Sequence, residues 1–277
     1  VDDLAQFNQE RWTALVEAGI EFGQPFKDFD AAQAFDYLDR WANIGRLGFQ
    51  DFKDQRILCL ASGGGQQSVC FGLLGAQVTV LDLTPAQLEG DRHMAMHYGL
   101  EFQLEQGDMR DLSRFESGSF DLVFQAYSIN FVPDPELVFA EVARVLGPEG
   151  KYYLQYGNPL WSMEPEDWTD KGYPIRQPYE QGAKTGVDDG PWDVPQADGS
   201  TRYVEGPREF LHTLGTLYNG LGRRGLHIFA MFDGPAGDST ATPGSWEHLK
   251  SYLPVWPAVW AVKSESLWPS VAPASGA

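Results

Sequence analysis

The sequence predicts an α/β protein built on a parallel, doubly wound sheet, and three observations carry that expectation. Short apolar runs alternate with helical patterns between residues 56 and 156, as successive crossover units require. The first run, Ile57-Leu58-Cys59-Leu60, is uniformly apolar, which suits a strand buried on both faces. It breaks into Ser62-Gly63-Gly64-Gly65, resumes as a helix, and returns as Val78-Thr79-Val80-Leu81, which ends on Asp82. Strand, glycine turn, helix, strand, acid is the first half of a nucleotide-binding crossover. Glycines let the backbone approach a ligand, and the acid accepts both hydroxyls of a ribose.

Residues 1 to 19 read as an amphipathic helix, with Leu4, Phe7, Trp12, Leu15 and Val16 near one face. A second helix is expected over about 30–47, where Phe35, Leu38 and Trp41 share a side. Both precede the first strand and pack outside the main run of the sheet, as cover for an edge or as a lid over a pocket. In the second role Tyr37 and Trp41 are the candidates to face a ligand.

The helix after the glycine turn carries Val69, Leu73 and Leu74 at helical spacing. Thr84-Pro85 starts the next helix, a capping residue followed by proline at the first helical position, and Gly99 ends it. His93 and His97 lie four apart on it, but no glutamate joins them as in a zincin. A solvated face is expected there, and no metal. A third strand over 101–105 leads into Gly107-Asp108-Met109, and a fourth covers about 119–127. A helix over 135–146 is expected to bury Leu137, Val138, Val142 and Val145. Gly147-Pro148-Glu149-Gly150 then makes a tight turn before a fifth strand over 151–156.

From 157 to 206 the chain becomes rich in Trp, Pro, Gly and acids (Trp161, Trp168, Trp192; Asp188, Asp189, Asp193) and loses clear periodicity. It is long for a loop and too aromatic for plain disorder, so it reads as an ordered cap over the active site or as a surface flap. Residues 207–223 are expected to be helical, with Phe210, Leu211, Leu214 and Leu217 on one side. Strands over 226–232 and 259–263 flank a short helix near 245–253, and the tail 270–277 is expected to fray. The chain therefore reads as one domain, 1–277, with a helical lid over 1–50 and a cap insertion over 157–206.

At 277 residues, 43% hydrophobic and 21% charged, the composition is that of an ordinary globular domain. Acids outnumber bases 39 to 20, for a formal charge of -19. Such a surface repels phosphate backbones and anionic membranes, so neither nucleic acid nor a membrane is expected as a partner, and solubility alone accounts for the charge. Cys59 and Cys70 lack metal-pair spacing and read as buried free thiols in a reducing compartment. No run resembles a signal peptide or approaches the roughly 20 apolar residues of a membrane span, so a cytoplasmic location is expected.

Taken together, these motifs resemble the class I S-adenosylmethionine (SAM)-dependent methyltransferases, most of all the small-molecule branch. The likeness is strong over about 56–158 and looser to 263. It implies a seven-stranded, mostly parallel Rossmann-like sheet with an antiparallel ending, supplied by 226–232 and 259–263. It also implies SAM as cofactor, S-adenosylhomocysteine (SAH) as product, and no metal. Ala61, Gly63 and Gly65 match the loop that wraps the methionine part and ribose, and Gln66, which follows it, is a further candidate to meet the cofactor. Asp82 matches the ribose acid, and Leu83 the residue against adenine. Asp108 and Met109 match the segment that reads adenine, and Gln125 and Tyr127 match the end of the fourth strand near the methyl group. Tyr37, Trp41, Tyr127 and Asn130 are the expected substrate contacts.

Two departures stand out. Relatives usually carry an acid at the Cys59 position and a glycine at Ala61, so the usual anchor for the ligand's amino group is missing unless Gln66 or Gln67 replaces it. Many relatives also have a histidine where Asn130 stands, so no base is expected at that place. Methyl transfer from a sulfonium needs chiefly alignment and exclusion of water. Tyr127 and His248 are the candidate bases, and neither is assigned. An acidic, aromatic cap suits a cationic or flat acceptor such as an amine, unless those residues face solvent. The competing readings are a non-catalytic SAM or SAH binder and a nicotinamide-dependent oxidoreductase.

Overall fold

The computed structural model describes residues 2–185 and 191–265. Asp188, Asp189 and the tail 270–277 lie outside the described residues. Strands β1 (Arg56–Leu60), β2 (Gln77–Asp82), β3 (Phe102–Gln106), β4 (Phe120–Gln125) and β5 (Leu146–Gln155) run parallel in one sheet. A hairpin, β6 (Pro191–Pro195) and β7 (Thr201–Glu205), stands apart from it. Strands β8 (Leu226–Phe232) and β9 (Ala258–Lys263) complete the sheet in the order β3-β2-β1-β4-β5-β9-β8. Strand β9 is antiparallel to both β5 and β8, so the antiparallel ending is a reversed strand inserted before the edge.

The helices are α1 (Asp3–Ala18), α2 (Ala31–Ala42), α3 (Gln67–Leu73), α4 (Pro85–Tyr98), α5 (Pro135–Val145), α6 (Leu214–Arg223) and α7 (Trp246–Lys250). Alternation along β1 decides how the faces are covered. Ile57 and Cys59 join Leu38 and Ala42 of α2, Cys70 and Phe71 of α3 and Leu88 of α4 on one face. Leu58 and Leu60 join Val138, Phe139 and Val142 of α5 and Leu217 and Leu221 of α6 on the other. These four residues of β1 are fully buried, which is why the apolar run carries no polar side chain, while Arg56 at the start of the strand is exposed. Both cysteines are buried free thiols. Among the described residues no helix is long and apolar enough to cross a membrane.

Several boundaries differ from the sequence expectation. Helix α2 stops at Ala42 rather than near 47, because Asn43 turns left-handed (φ 53°) and caps it on the Asp39 carbonyl. In α5, Leu137 is 51% exposed, and the buried stripe is Val138, Phe139, Val142 and Val145. The turn at 147–150 is a bulge inside β5, between the Phe120–Leu146 and Leu122–Lys151 pairs.

The largest difference is at 207–213, which is extended rather than helical. Here Phe210 N donates to Asn130 O at 2.7 Å, Leu211 N to Ala183 O at 2.8 Å, and Arg208 N to Asn8 Oδ1 at 2.8 Å. Tertiary partners outcompete helical spacing, and α6 starts only where the Thr213 hydroxyl caps Thr216 N. Within 157–206, the hairpin packs Val194 and Val204 on Leu15, Ala18 and Ile20 at the end of α1. Trp192 meets Trp12 edge to face at 5.6 Å. The earlier part of the segment packs Trp161, Met163 and Tyr173 around Leu249 and Val255. The hairpin left one sequence signal, the Asp198-Gly199 turn, with Gly199 at φ 84°.

Candidate functional site

The C-terminal ends of β1 to β4 bring the predicted acids and glycines to one edge. Asp82, buried at the end of β2, accepts from Gly63 N at 3.0 Å and from Thr84 N at 2.8 Å. Burial pushes its carboxyl above the ordinary range. Gly64 N and Gly65 N donate to Asp91 of α4 at 2.9 and 3.1 Å, and the Ser68 hydroxyl joins them. Successive loop amides thus point at carboxylates on two different elements. Gly64 and Gly65 have φ of 109° and 74°, which only glycine adopts freely. The glycines also admit α4, since a Cβ on Gly65 would stand 2.8 Å from Met94 Cγ and 3.0 Å from Gly90 O.

Ala61 occupies the left-handed region, at φ 47°. Strain of this kind costs about 1–2 kcal/mol. Ala61→Gly is therefore expected to raise stability by about 1 kcal/mol, after the added freedom of the unfolded chain is subtracted. Urea titration checks this. Gln66, expected to meet the cofactor, donates instead through Nε2 to Glu21 O and Gln24 O at 2.9 and 2.8 Å, in the segment that follows α1.

At the β2–β3 ends a cleft of about 610 Å³ is lined by Leu83, Gly107, Asp108, Arg110 and Asp2, among others. The Asp108 carboxylate accepts from Arg110 Nε at 3.0 and 3.1 Å, and the same guanidinium reaches Asp2 at 2.8 and 3.0 Å. Arg110 pulls the Asp2 carboxyl down to about 2. The expected adenine acceptor is thus held by a cation, which the local sequence did not announce. Met109 is buried behind it.

At the β4 end, Gln125 is fully buried. Its Nε2 donates to Ser128 Oγ at 3.0 Å and to Met109 Sδ at 3.3 Å, and its Oε1 accepts from Tyr152. Its side chain is spent in the core rather than presented at the edge. Tyr127 does stand at the edge. Its hydroxyl donates to Glu209 Oε2 at 2.5 Å and lies so close to Gly157 that a Cβ there would sit 3.1 Å away. Asn130, expected to orient a substrate, instead ties the chain together. Its Nδ2 donates to Phe210 O and its Oδ1 accepts from Gly157 N, each at 2.9 Å.

Helix α1, rather than α2, crosses this edge. Gln9 Nε2 donates to Leu83 O at 3.1 Å, and Asn8 Nδ2 reaches Phe131 O and Arg208 O at 3.2 Å. Tyr37 belongs to the α2–α3 face of the core, packed on Phe26 at 4.6 Å, and burial raises its hydroxyl far above the ordinary range. Trp41 lends its carbonyl to the Tyr153 hydroxyl at 3.0 Å. The structure does not gather these two with the strand-end residues.

His248 is buried on α7 itself, 2.8 Å from the Tyr173 hydroxyl and walled by Trp168 and Tyr252. His212 is buried between the Gln181 amide and Ile129 O, and burial pushes its pKa down to about 4. His93 pairs with Glu89, and no group of three or more metal-ligating side chains occurs among the described residues. Sequence reasoning missed Asp91, Glu209, Asn8 and Gln9. Only Asn8 left a signal, as a polar residue in the buried stripe of α1.

Residues 58–154 match the family model described as a methyltransferase domain. The chain is 34% identical over 164 residues to the uncharacterized methyltransferase YbaJ of Bacillus subtilis, covering 57% of this chain and 64% of that protein. It is 34% identical over 104 residues to the ubiquinone biosynthesis O-methyltransferase of Xanthomonas oryzae, covering 38% of this chain and 44% of that enzyme. The match thus spans less than two thirds of either relative. The fold is similar to that of an S-adenosylmethionine dependent methyltransferase from Mesorhizobium loti, with TM-score 0.55 and 21% identity over 79% of this chain and 95% of that one. Residues 58–154 thus carry a methyltransferase domain, set in the sheet order, glycine loop and strand-end acids of a Rossmann-like methyltransferase fold.

Proposed function

We propose that this protein transfers the methyl group of SAM to a small-molecule acceptor by in-line displacement. The observation that carries the reading is the buried Asp82 carboxylate at the end of β2, joined to Gly63 N and flanked by the cleft at Leu83, Gly107 and Asp108. A carboxylate has about four acceptor positions; Gly63 N and Thr84 N take two here, and ribose hydroxyls would compete with Leu83 N and the Thr84 hydroxyl for the others. Leu83 is suited to pack on adenine, and Asp108 to meet its amine once Arg110 turns to Asp2 alone. Bound SAM supplies an already activated methyl group on a sulfonium.

The chain's own contribution is alignment and exclusion of water, which can supply about 7–11 kcal/mol of a barrier. Helix α1 and the β6–β7 hairpin packed on it serve as the cover in this reading, with 157–206 as part of the same domain. Tyr127, hydrogen-bonded to Glu209, faces the acceptor side because it lies beyond β1 from the adenosine strands β2 and β3. A formal charge of -19 favours a small acceptor over nucleic acid. The Xanthomonas enzyme, named for ubiquinone biosynthesis, supports a small-molecule acceptor.

Calorimetry with SAM, SAH and NADH, followed by turnover of methyl-labelled SAM in a cell extract, tests this. SAM and SAH are expected to bind, NADH is not, and label is expected in the small-molecule fraction. Binding of NADH alone would return the oxidoreductase reading. Tight SAM binding with no labelled product in any fraction would favour a non-catalytic binder.

A further inference from the structure

Gln155 is the last residue of β5 and takes no part in the site as described above. On the α2–α3 face of the sheet, the row beneath it is aromatic. Phe124 stacks on Tyr153 at 4.3 Å, and Tyr153 meets Trp260 at 5.2 Å. The polar atoms of that row are spent: the Tyr153 hydroxyl donates to Trp41 O at 3.0 Å and Trp260 Nε1 to Ala42 O at 2.8 Å. Two residues nearer the strand ends, the same face carries Ala126, Gln155 and Ala258. The ladder pairs Gln155 with Ala258, and the Gln125–Leu154 pair sets Ala126 on its other side.

Gln155 is only 7% exposed, and its Nε2 is buried with no hydrogen-bond partner among the described residues. The alanine side chains on either side cannot supply one. Gln125, the neighbouring buried amide on β4, makes the contrast, because both ends of its side chain are bonded within the core. A buried N–H without an acceptor is destabilising, and an apolar side chain of similar shape would remove that cost. Glutamine at this position therefore keeps a donor that none of the described residues uses.

The position of Gln155 says what that donor is for. Strands β4 and β5 lie beyond β1 from β2 and β3, whose ends take the adenosine in the reading above. Gly157, two residues past Gln155, lies against Tyr127, so that a Cβ on it would stand 3.1 Å from the tyrosine hydroxyl. The amide thus belongs to the acceptor side of the strand-end edge. We propose that Gln155 binds the methyl acceptor, donating from Nε2 to a lone-pair oxygen on it (a hydroxyl, phenolate or carbonyl). The alanines beside the amide leave a low shelf that suits a flat molecule. A protonated amine offers no lone pair to this donor. The proposal deepens the SAM reading and rests on it. Gln155 moves no proton and makes no covalent bond; it holds the acceptor in place for the displacement at sulfur.

The test compares the full-length wild type with Gln155→Met and Gln155→Glu. Each protein is given methyl-labelled SAM and a fixed small-molecule fraction of cell extract, with SAM calorimetry and a melting curve alongside. Methionine is close to glutamine in length but donates nothing. Gln155→Met is expected to lower transfer at limiting extract by roughly tenfold, with part of the loss recovered as the extract is concentrated. Its SAM affinity is expected to be unchanged, and its melting temperature equal to or above that of the wild type. Gln155→Glu keeps the shape but accepts where glutamine donates, so its transfer is expected to fall at least as far. If Gln155→Glu does not fold, Gln155→Met decides alone. Wild-type transfer by Gln155→Met overturns the contact, and a lowered melting temperature with SAM affinity lost in step makes Gln155 a structural residue instead. Transfer kept by Gln155→Glu but lost by Gln155→Met overturns the oxygen assignment, since the acceptor would then be the donor. A wild type that binds no SAM or transfers no label sinks the SAM reading itself, and this proposal with it.

Discussion

Asp82→Ala is expected to weaken SAM binding by roughly two to three orders of magnitude in a protein that remains folded. A hydrogen bond to a charged acceptor is worth about 1.5–3 kcal/mol, and two ribose hydroxyls would be lost together. Further loss comes from within the chain, because Gly63 N and Thr84 N both rest on this carboxylate. Freed of it, the loop and the first turn of α4 lose their alignment before any ligand arrives. Asp82→Asn keeps the volume and one acceptor oxygen, so it is expected to cost nearer tenfold. Calorimetry measures both, with a melting curve to confirm folding. An unchanged dissociation constant in folded Asp82→Ala would falsify the assignment of the strand-end acid to the ligand.

The second large effect is on stability. Asn130→Ala removes a side chain that satisfies two main-chain groups, Gly157 N just after β5 and Phe210 O in the extended crossing. Asn130 is itself buried, so water does not readily replace either bond. Each orphaned group costs about 1–3 kcal/mol, which gives a loss of roughly 2–5 kcal/mol and a fall in melting temperature on the order of 10 °C. Asn130→Asp keeps the acceptor for Gly157 N but sets a carboxylate against the Phe210 carbonyl, and is expected to be no better tolerated. Chemical denaturation with matched slopes measures the change. A loss below about 0.5 kcal/mol, the size of an ordinary surface substitution, would mean that the crossing is held by other contacts.

Features set by neighbours in the chain were legible. The apolar run of β1, the proline that opens α4 and the acid that ends β2 each depend on residues within a few positions, and the structure has them where the pattern put them. The alternation of strands and helices likewise predicted a parallel, doubly wound sheet, while its antiparallel ending was what the family resemblance implied. Where a local pattern had a distant competitor, it misled. Phe210, Leu211, Leu214 and Leu217 have helical spacing, but main-chain bonds to Asn130 and Ala183 hold the first two in an extended segment.

The site divides the same way. The sequence by itself determined which backbone turns and which strand-end acid meet at the edge, because glycine conformations and strand length are local properties. Tertiary structure alone decided what each polar side chain does there. Arg110 takes Asp108 and Asp2 together, Tyr127 finds Glu209 82 positions away, Asn130 bridges Gly157 and Phe210, and Asp91 turns inward to the loop. The physical reason is that a buried donor or acceptor must be satisfied by whatever packing brings within about 3 Å, and neither hydrophobic period nor composition encodes that partner.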